Sequence, residues 1–341
     1  MNEPILPQDI YQFVTESCDS PDVKVFPLAG DASNRRYYRL VLKEQSFVLM
    51  RWEPFQIEKY PFLSVLNHFQ KNKVHVPHVT AISPNLGCIV LEDLGDLTLE
   101  RKFFENQIQE NTFIFYSMAV DELIKIHFHA TEDRKNPCTA FDIQFDTEKF
   151  MWEMNYGKEH LIDKLLDFPL SEKVSQELQN VFLNICSILH DQPKYISHRD
   201  YHSRNLMMKL DQLCVIDFQD ARLGPVQYDL VSLVRDSYVD ISDSFAQMII
   251  QDYLDKAKPF LKNHSIEDFM HIYEIQAIQR CFKACGSFSS FLNLRDDRRY
   301  LKYIQPTIKK VIKSLGQFPE YKLFGDILID SGSLDRKYEN L

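Results

Sequence analysis

The sequence predicts an α+β protein made of two unequal lobes. Over the first ninety-odd residues, short strand-like runs alternate with turn residues, and one amphipathic helix is indicated at about Pro61–Asn72. Beyond about residue 95 the apolar period changes from two to 3.6, which is typical of helices. We therefore expect a small lobe over residues 1–95, with an antiparallel sheet and one helix, and a larger, mainly helical lobe over 96–341.

The individual elements follow from the same two periods. Strands are predicted where β-branched and aromatic residues stand between turn residues, at Val23–Phe26, Arg36–Leu42, Ser46–Trp52, Val79–Ile82 and Cys88–Leu91. Helices are predicted where apolar residues recur at helical spacing, near Thr112–Ala130, Ser171–His190, Ser244–Lys258, Ile266–Phe291 and Pro306–Leu315. Ser171 is expected to cap the second of these helices.

Composition narrows the function classes. The net charge of −10 argues against general affinity for nucleic acid or an anionic membrane surface. The longest apolar runs, such as Phe113–Tyr116, are too short to span a bilayer, and the first residues carry no secretory signal. The seven cysteines show no CxxC pair and no zinc spacing, which favours reduced, buried thiols. We expect a cytoplasmic protein with a small-molecule substrate, no membrane or nucleic-acid partner and no obligate protein partner.

Three polar residues between 198 and 218 carry the chemistry. Asn205 follows Asp200 by five residues, and Asp217 comes twelve residues after Asn205. In phosphoryl transfer, one Asp accepts the proton of the attacking hydroxyl, while an Asn and a second Asp bind the Mg²⁺ ions that neutralise the phosphates of ATP. This pattern predicts Asp200 as the catalytic base and Asn205 and Asp217 as metal ligands.

The order and the two spacings make this prediction specific, because a lone His-Arg-Asp tripeptide or a lone Asp-Phe pair is common. Strand-like runs also bracket the motif. Tyr195–Ser197 leads into the loop, and the segments on either side of Leu210–Gln212 form a hairpin that delivers Asp217. The combination predicts a protein-kinase-like two-lobe fold.

Four segments resemble the aminoglycoside phosphotransferase and choline kinase superfamily, whose members phosphorylate small molecules. They are residues 30–39, 90–96, 216–233 and 279–288. Among its members, the chain is most similar to the anomeric N-acetylmuramate/N-acetylglucosamine kinases of peptidoglycan recycling. The resemblance implies transfer of the γ-phosphoryl group of ATP to a sugar hydroxyl, with Mg²⁺ as cofactor.

The resemblance also implies a nucleotide site between the lobes. The loop formed by Gly30, Asp31, Ala32 and Ser33 would cover the phosphates with its backbone N–H groups and the Ser33 hydroxyl. An ordinary hairpin turn would have a similar sequence. The segment from Glu92 to Leu94 would bind the adenine edge at the lobe junction, where a plain linker is the alternative.

The third strand lacks the lysine that binds phosphates in protein kinases, because Met50 or Arg51 stands in its place. Arg35, Arg36, Arg39 or Arg51 could supply the charge, although strand alternation allows only some of them to point inward. We predict that Arg36 and Arg51 bind nucleotide, and that at least one of Arg36, Arg39 and Arg51 is required for ATP affinity.

Four further residues are predicted to bind the acceptor. Arg280 and Lys283 lie three apart on one helix face, where they would meet the carboxylate of N-acetylmuramate or pair with nearby acids. His202 would orient Asp200, touch the acceptor or only pack. Glu153 lies in a helix over Met151–His160 that is expected to line the acceptor pocket.

Two other functions remain open at this stage. An aminoglycoside or amino-alcohol phosphotransferase has the same catalytic residues and would suit the negative net charge. A nucleotide-binding pseudokinase that acts as a regulatory module would suit the missing lysine, whereas the complete set of Asp200, Asn205 and Asp217 argues against it.

Overall fold

The computed structural model describes residues 6–28, 35–261 and 265–340. Within these ranges the small lobe contains helix α1 (Gln8–Ser17), strands β1 (Lys24–Pro27), β2 (Arg36–Val41) and β3 (Ser46–Arg51), helix α2 (Pro61–Lys71), and strands β4 (Val79–Ser83) and β5 (Cys88–Glu92). The strands form an antiparallel sheet in the order β1-β2-β3-β5-β4.

Both faces of this sheet are covered. One face packs on α1 in a cluster that contains Leu40, Leu49 and Val90, and we call it the α1 face. The other packs on α2 in a cluster that contains Met50 and Ile89, and we call it the α2 face. Because side chains alternate along a strand, every residue of β2 and β3 is assigned to one face or the other.

The large lobe is mainly helical in the described residues. Its helices are α3 (Leu99–Phe104), α4 (Phe113–Ile124), α5 (Thr147–Gly157), α6 (Glu172–His190), α7 (Gln227–Val234), α8 (Asp243–Ala257), α9 (Ile266–Arg295), α10 (Ile304–Leu315) and α11 (Lys322–Asp330). Four short strands form two antiparallel pairs, of β6 (Tyr195–Ser197) with β9 (Arg222–Gly224), and of β7 (Leu206–Lys209) with β8 (Gln212–Val215). These strand pairs hold the polar loops of the motif.

One hydrophobic core joins the lobes. Phe62 of α2 stacks on Phe218 with ring centroids 5.2 Å apart, and both side chains belong to the cluster that fills the large lobe. Phe218 directly follows Asp217 in the sequence. The helix of the small lobe is therefore packed against the residue next to the predicted metal ligand.

The long helix α9 crosses α5 at a pair of glycines. A Cβ atom on Gly286 would lie 2.4 Å from Cα of Gly157, closer than any van der Waals contact allows. The crossing brings the middle of α9, which carries Arg280 and Lys283, against the helix that carries Glu153.

The predicted α+β, two-lobe fold is confirmed, and most predicted elements agree with the observed ones to within a few residues. Helix α1 was not predicted, although Ile10 and Val14 have helical spacing and are both buried. Helices α3 and α11 were also missed. The boundary near residue 95 stays a prediction, and the loop Gly30–Ser33 lies outside the described residues.

All seven cysteines are buried and unpaired, as predicted. In the described ranges, no helix combines the length and the apolar character that a transmembrane span requires.

Replacing Gly286 with Ala should destabilise the protein by about 1–3 kcal/mol, because the added methyl group overpacks the α5–α9 crossing. Gly325 in α11 is the matched control, since a Cβ there would meet no heavy atom within 4 Å. Gly325→Ala should be neutral or stabilising by about 0.5–1 kcal/mol, as expected for helix interiors. Urea unfolding of both variants measures the difference. Equal stability of Gly286→Ala and the parent would contradict the close crossing.

Candidate active site

The polar motif is held by the two strand pairs of the large lobe. Asp200 and Asn205 lie in the loop between β6 and β7, and Asp217 lies two residues after β8. The hairpin pairs Leu206 with Val215, so Asn205 and Asp217 emerge near each other from adjacent strands. The Ile216 N–H also donates to the Asn205 carbonyl at 3.0 Å. The structure thus brings the three predicted residues together.

A buried carboxylate anchors the loop. Asp229 is fully buried at the start of α7, and it accepts hydrogen bonds from the backbone N–H groups of His198 at 2.6 Å and Arg199 at 2.9 Å. His127 contacts the same carboxylate through Nε2 at 3.2 Å, while its Nδ1 lies 2.8 Å from the Tyr253 hydroxyl. Arg199 has a φ of +82°, a left-handed conformation that these bonds maintain.

His198 links the loop to the strand that precedes Asp217. Its Nε2 donates to the Ile216 carbonyl at 2.9 Å, and its Nδ1 accepts the Asp200 N–H at 3.3 Å. The imidazole therefore sets the distance between the backbone of Asp200 and the backbone that carries Asp217.

The side chains of Asn205 and Asp217 are in direct contact. The Asn205 side chain donates through Nδ2 to the Asp200 carbonyl at 2.9 Å, which leaves its Oδ1 available as a ligand. The same Nδ2 lies 3.4 Å from Oδ2 of Asp217. Asp217 has a φ of +64°, and its other oxygen accepts from Gln219 at 2.8 Å. Strained, hydrogen-bonded carboxylates of this kind are typical of functional sites.

The charges around Asp200 keep it ionised. Burial opposes ionisation, but the positive charges of Lys283, Arg199 and Arg280 outweigh it and hold the pKa of Asp200 below its ordinary value. The nearest of these contacts is from Arg280 Nη2 to Asp200 Oδ1, at 3.6 Å. In contrast, burial and the charge of Asp200 raise the pKa of Asp217. The two carboxylates are thus in electrostatically different surroundings.

A cavity opens beside Asp200 between α7 and α9. His202, Arg280 and Lys283, three of the predicted acceptor residues, line it together with Asp200. Three aromatic side chains form its apolar part: Tyr238, Phe288 and Phe291. A hydroxyl bound in this cavity would lie next to the Asp200 carboxylate.

The cavity is electropositive. Arg235 and Arg280 are tied by ion pairs to Glu274 at 3.0 Å and to Asp200 at 3.6 Å. Lys283 has no carboxylate within ion-pair distance among the described residues. Asp236 also lines the cavity, but its oxygens accept the backbone N–H groups of Ser203 and Tyr238 at 2.8 Å. Lys283 is therefore the uncompensated cation of the cavity, in the sense that it has no ion-pair partner, although the charge of Asp200 acts on it at longer range.

Glu153 does not line this cavity. It is fully buried and accepts from Gln279 at 2.9 Å and from the Tyr228 hydroxyl at 3.5 Å. Its position links α5 to α9 behind the cavity wall, one helical turn from Lys283 on α9. This geometry fits a residue that positions α9 better than one that touches an acceptor.

The junction of the lobes has an apolar floor and a charged rim. Leu94 packs with Met207, Cys214 and Ile216 in a separate cluster. The Glu92 side chain turns away to Lys209 Nζ, at 2.8 Å, so only its backbone could face a ligand bound on this floor.

Strand register separates the predicted arginines. Arg36 pairs with Arg51, and both alternate onto the α1 face with Leu49, away from Asp217. Arg39 is on the α2 face, but its guanidinium is held by Asp93 at 2.8 Å and Asp96 at 2.9 Å. The structure does not bring Arg36 and Arg51 to the catalytic residues, and Gly30–Ser33 lie outside the described residues.

Several lining residues were not predicted from the sequence. Tyr238, Ser232 and Asp236 reach the cavity from α7 and the loop that follows it. A partial signal was present, because the resemblance at residues 216–233 ends within α7.

Comparison with known proteins agrees with this geometry. The sequence model described as "APH: Phosphotransferase enzyme family" matches residues 24–263. An N-acetylmuramate/N-acetylglucosamine kinase of Neisseria meningitidis serogroup B is 31% identical, over 81% of this chain and 83% of the relative. A kinase of the same name from Pseudomonas aeruginosa is 28% identical, over 93% and 91%. The structure of the streptomycin-ATP-APH(2")-IIa ternary complex shares the fold, with a TM-score of 0.59 and 17% identity over 94% of this chain and 99% of that one.

Proposed function

Because this chain belongs to the phosphotransferase enzyme family, we propose that it transfers the γ-phosphoryl group of ATP to an N-acetylated amino sugar. The acceptor group is the anomeric hydroxyl of N-acetylmuramate or N-acetylglucosamine, and the product is a sugar 1-phosphate. The names of the relatives support this acceptor class. The observation that carries the proposal is the electropositive, partly aromatic cavity beside Asp200.

The charge of the cavity argues against the aminoglycoside and amino-alcohol alternatives. Those acceptors are cations, and a cation would lie beside Arg280 and the uncompensated Lys283. Like charges in a partly desolvated site repel each other strongly. A neutral or anionic sugar avoids that cost, and its ring can pack on Tyr238 or Phe288.

Asp200 acts as the base. In a loose phosphoryl-transfer transition state the hydroxyl proton leaves late, so positioning matters more than base strength. The lowered pKa of Asp200 keeps the carboxylate ionised and able to accept that proton. An anomeric hydroxyl is more acidic than an ordinary alcohol, which suits a weak base.

Asn205 and Asp217 fit a magnesium site. Their side-chain oxygens are the hard ligands that Mg²⁺ prefers, and Mg²⁺ commonly binds through one or two carboxylates together with substrate phosphates. In the described residues no group of three or more His, Cys, Asp and Glu side chains could hold a metal alone. The ion would therefore enter with the nucleotide, and it would neutralise the charge on the phosphates. The adenine would lie on Leu94 and Met207, with backbone groups of Glu92–Leu94 at its edge.

Lys283 would select the acid form of the acceptor. N-acetylmuramate carries a lactyl carboxylate that N-acetylglucosamine lacks, and Lys283 is the cavity's uncompensated cation. A charge-assisted hydrogen bond of this type is worth about 1.5–3 kcal/mol. His202 also lines the cavity and would contact the sugar.

The first test is the product itself. Purified protein incubated with ATP, Mg²⁺ and either amino sugar should give a sugar 1-phosphate, identified by phosphorus and proton NMR. Aminoglycosides and choline should not react, because their charge opposes that of the cavity. Phosphate at another hydroxyl, or reaction with an aminoglycoside alone, would contradict the proposal. Nucleotide binding without any turnover would indicate the pseudokinase instead.

Asp200→Ala and Asp217→Ala should separate the two carboxylate roles. Asp200→Ala should lower kcat by about 10²- to 10⁴-fold and leave ATP affinity nearly unchanged, because the base contacts only the acceptor. Asp217→Ala should weaken binding of Mg²⁺-ATP as well. Calorimetry with Mg²⁺-ATP and steady-state kinetics measure both effects. Equal Mg²⁺-ATP affinity in the parent and Asp217→Ala would exclude the metal role.

Lys283→Met should lower kcat/KM for N-acetylmuramate by about 10- to 100-fold and change it little for N-acetylglucosamine, since only the former has a carboxylate. Burial lowers the pKa of Lys283 to about 8. The ammonium is charged below that pH, so the preference for N-acetylmuramate should fall as pH rises through about 8. Kinetics with both sugars between pH 6.5 and 9.5 measure this, and a pH-independent ratio would rule out Lys283.

A further inference from the structure

The α2 face of the sheet carries no lysine where phosphates would bind. Ser46, Val48 and Met50 are the residues of β3 on this face, and Val48 and Met50 pack into the core against α2. Phosphate oxygens beside these side chains would meet no positive charge. Another basic group must therefore stabilise a bound triphosphate from the small lobe.

Arg35 lies on the correct side. It precedes β2 by one residue, so alternation places it with Tyr37 and Arg39 on the α2 face. Its guanidinium lies over the Trp52 ring, with 4.6 Å from the guanidinium carbon to the ring centroid. This cation–π contact supports the guanidinium from one side, and a guanidinium carries five N–H donors that can bind an anion.

The surroundings of Arg35 place it on the side of the sheet that faces the large lobe. Its side chain contacts the hydroxyl groups of Tyr37 and Tyr60. Tyr37 lies on the α2 face, and Tyr60 directly precedes helix α2. Helix α2 packs on Phe218, the residue next to Asp217, so Arg35 lies on the same side of the sheet as the proposed metal ligand.

Arg35 has no carboxylate partner. In the described parts of the chain no ion pair forms with it, and its polar contacts are with the hydroxyl groups of Tyr37 and Tyr60. Arg39, four residues further along the chain, is by contrast held by Asp93 and Asp96. Because no ion pair neutralises its charge, the Arg35 guanidinium is suited to bind an anion.

We propose that Arg35 binds the β- or γ-phosphate of the nucleotide and replaces the missing lysine of β3, with Trp52 as its stacking support. The inference rests on the proposed phosphotransferase function. It replaces the predicted roles of Arg36 and Arg51, which the register directs to the opposite face. Arg35 would bind the phosphates through several N–H donors of its planar guanidinium, whereas a lysine would bind them through a single ammonium group.

The test compares ligands with and without phosphates. Arg35→Ala should weaken binding of a non-hydrolysable ATP analogue with Mg²⁺ by about 10- to 100-fold and leave binding of adenosine unchanged. Arg35→Lys should fall between the parent and Arg35→Ala. Calorimetry without a sugar gives the dissociation constants. With the sugar present, Arg35→Ala should raise KM for ATP and leave KM for the sugar unchanged.

Arg134→Ala is the matched control. The Arg134 guanidinium also lies over an aromatic ring, at 4.0 Å from the centroid of Phe141. Arg134 lines neither the cavity beside Asp200 nor the apolar cluster of Leu94 at the lobe junction. This variant should bind the ATP analogue as the parent does. If Arg35→Ala does not fold, as judged by circular dichroism, Arg35→Met retains an unbranched stem over Trp52 and serves in its place.

Three results would overturn the proposal. They are unchanged affinity of the Arg35 variants for the ATP analogue, equal loss of affinity for the analogue and for adenosine, and a loss on Arg36→Ala that exceeds the loss on Arg35→Ala. None of these measurements uses an acceptor. A protein that phosphorylates no amino sugar but loses ATP affinity on Arg35→Ala would thus refute the acceptor and support Arg35.

Discussion

The buried carboxylate of Asp229 holds together the part of the structure on which the chemistry depends. It accepts the N–H groups of His198 and Arg199 and contacts His127, so three segments distant in sequence meet at one group. Without this carboxylate, two buried backbone N–H groups would have no acceptor, and each unsatisfied donor costs about 1–3 kcal/mol. The left-handed conformation of Arg199 would also lose the hydrogen bond that holds it. The loop places Asp200, and His198 then ties it to the backbone before Asp217. The same buried carboxylate therefore positions both the proposed base and the proposed metal ligands.

Charge divides the site into two halves. On the acceptor side, Lys283, Arg199 and Arg280 hold Asp200 ionised and make the cavity suitable for an anion. On the nucleotide side, Asp217 sits in buried surroundings that raise its pKa, and a divalent cation would relieve the repulsion from Asp200. Arg35 would add the charge that β3 lacks. The same positive charges that would favour the proposed N-acetylated sugar over a polycation thus keep Asp200 deprotonated.

Helix packing outside the cavity positions the charged residues that line it. The crossing of α5 and α9 at Gly157 and Gly286 permits Glu153 to bond to Gln279, one residue before Arg280. Glu153 is a positioning residue in this arrangement, because it acts on the cavity through α9. In the small lobe, Arg39 joins β2 to the lobe junction through Asp93 and Asp96, and Lys209 joins the same junction to the large lobe through Glu92. These ion pairs link the two lobes around the apolar cluster of Leu94, Met207, Cys214 and Ile216.

Sequence alone determined the fold class, the hairpin and the proximity of Asp200, Asn205 and Asp217, because these depend on short spacings and on local periodicity. It also determined that Arg280 and Lys283 share a helix face. Only the tertiary structure decided which arginine side chains lie on which face of the small sheet. Both faces of the small sheet are buried, one under α1 and one under α2, so an alternating strand pattern does not reveal which face is the cleft. The position of Glu153 outside the cavity was likewise decided by the tertiary structure, because its partner Gln279 is 126 residues away and long-range packing cannot be predicted from a local pattern.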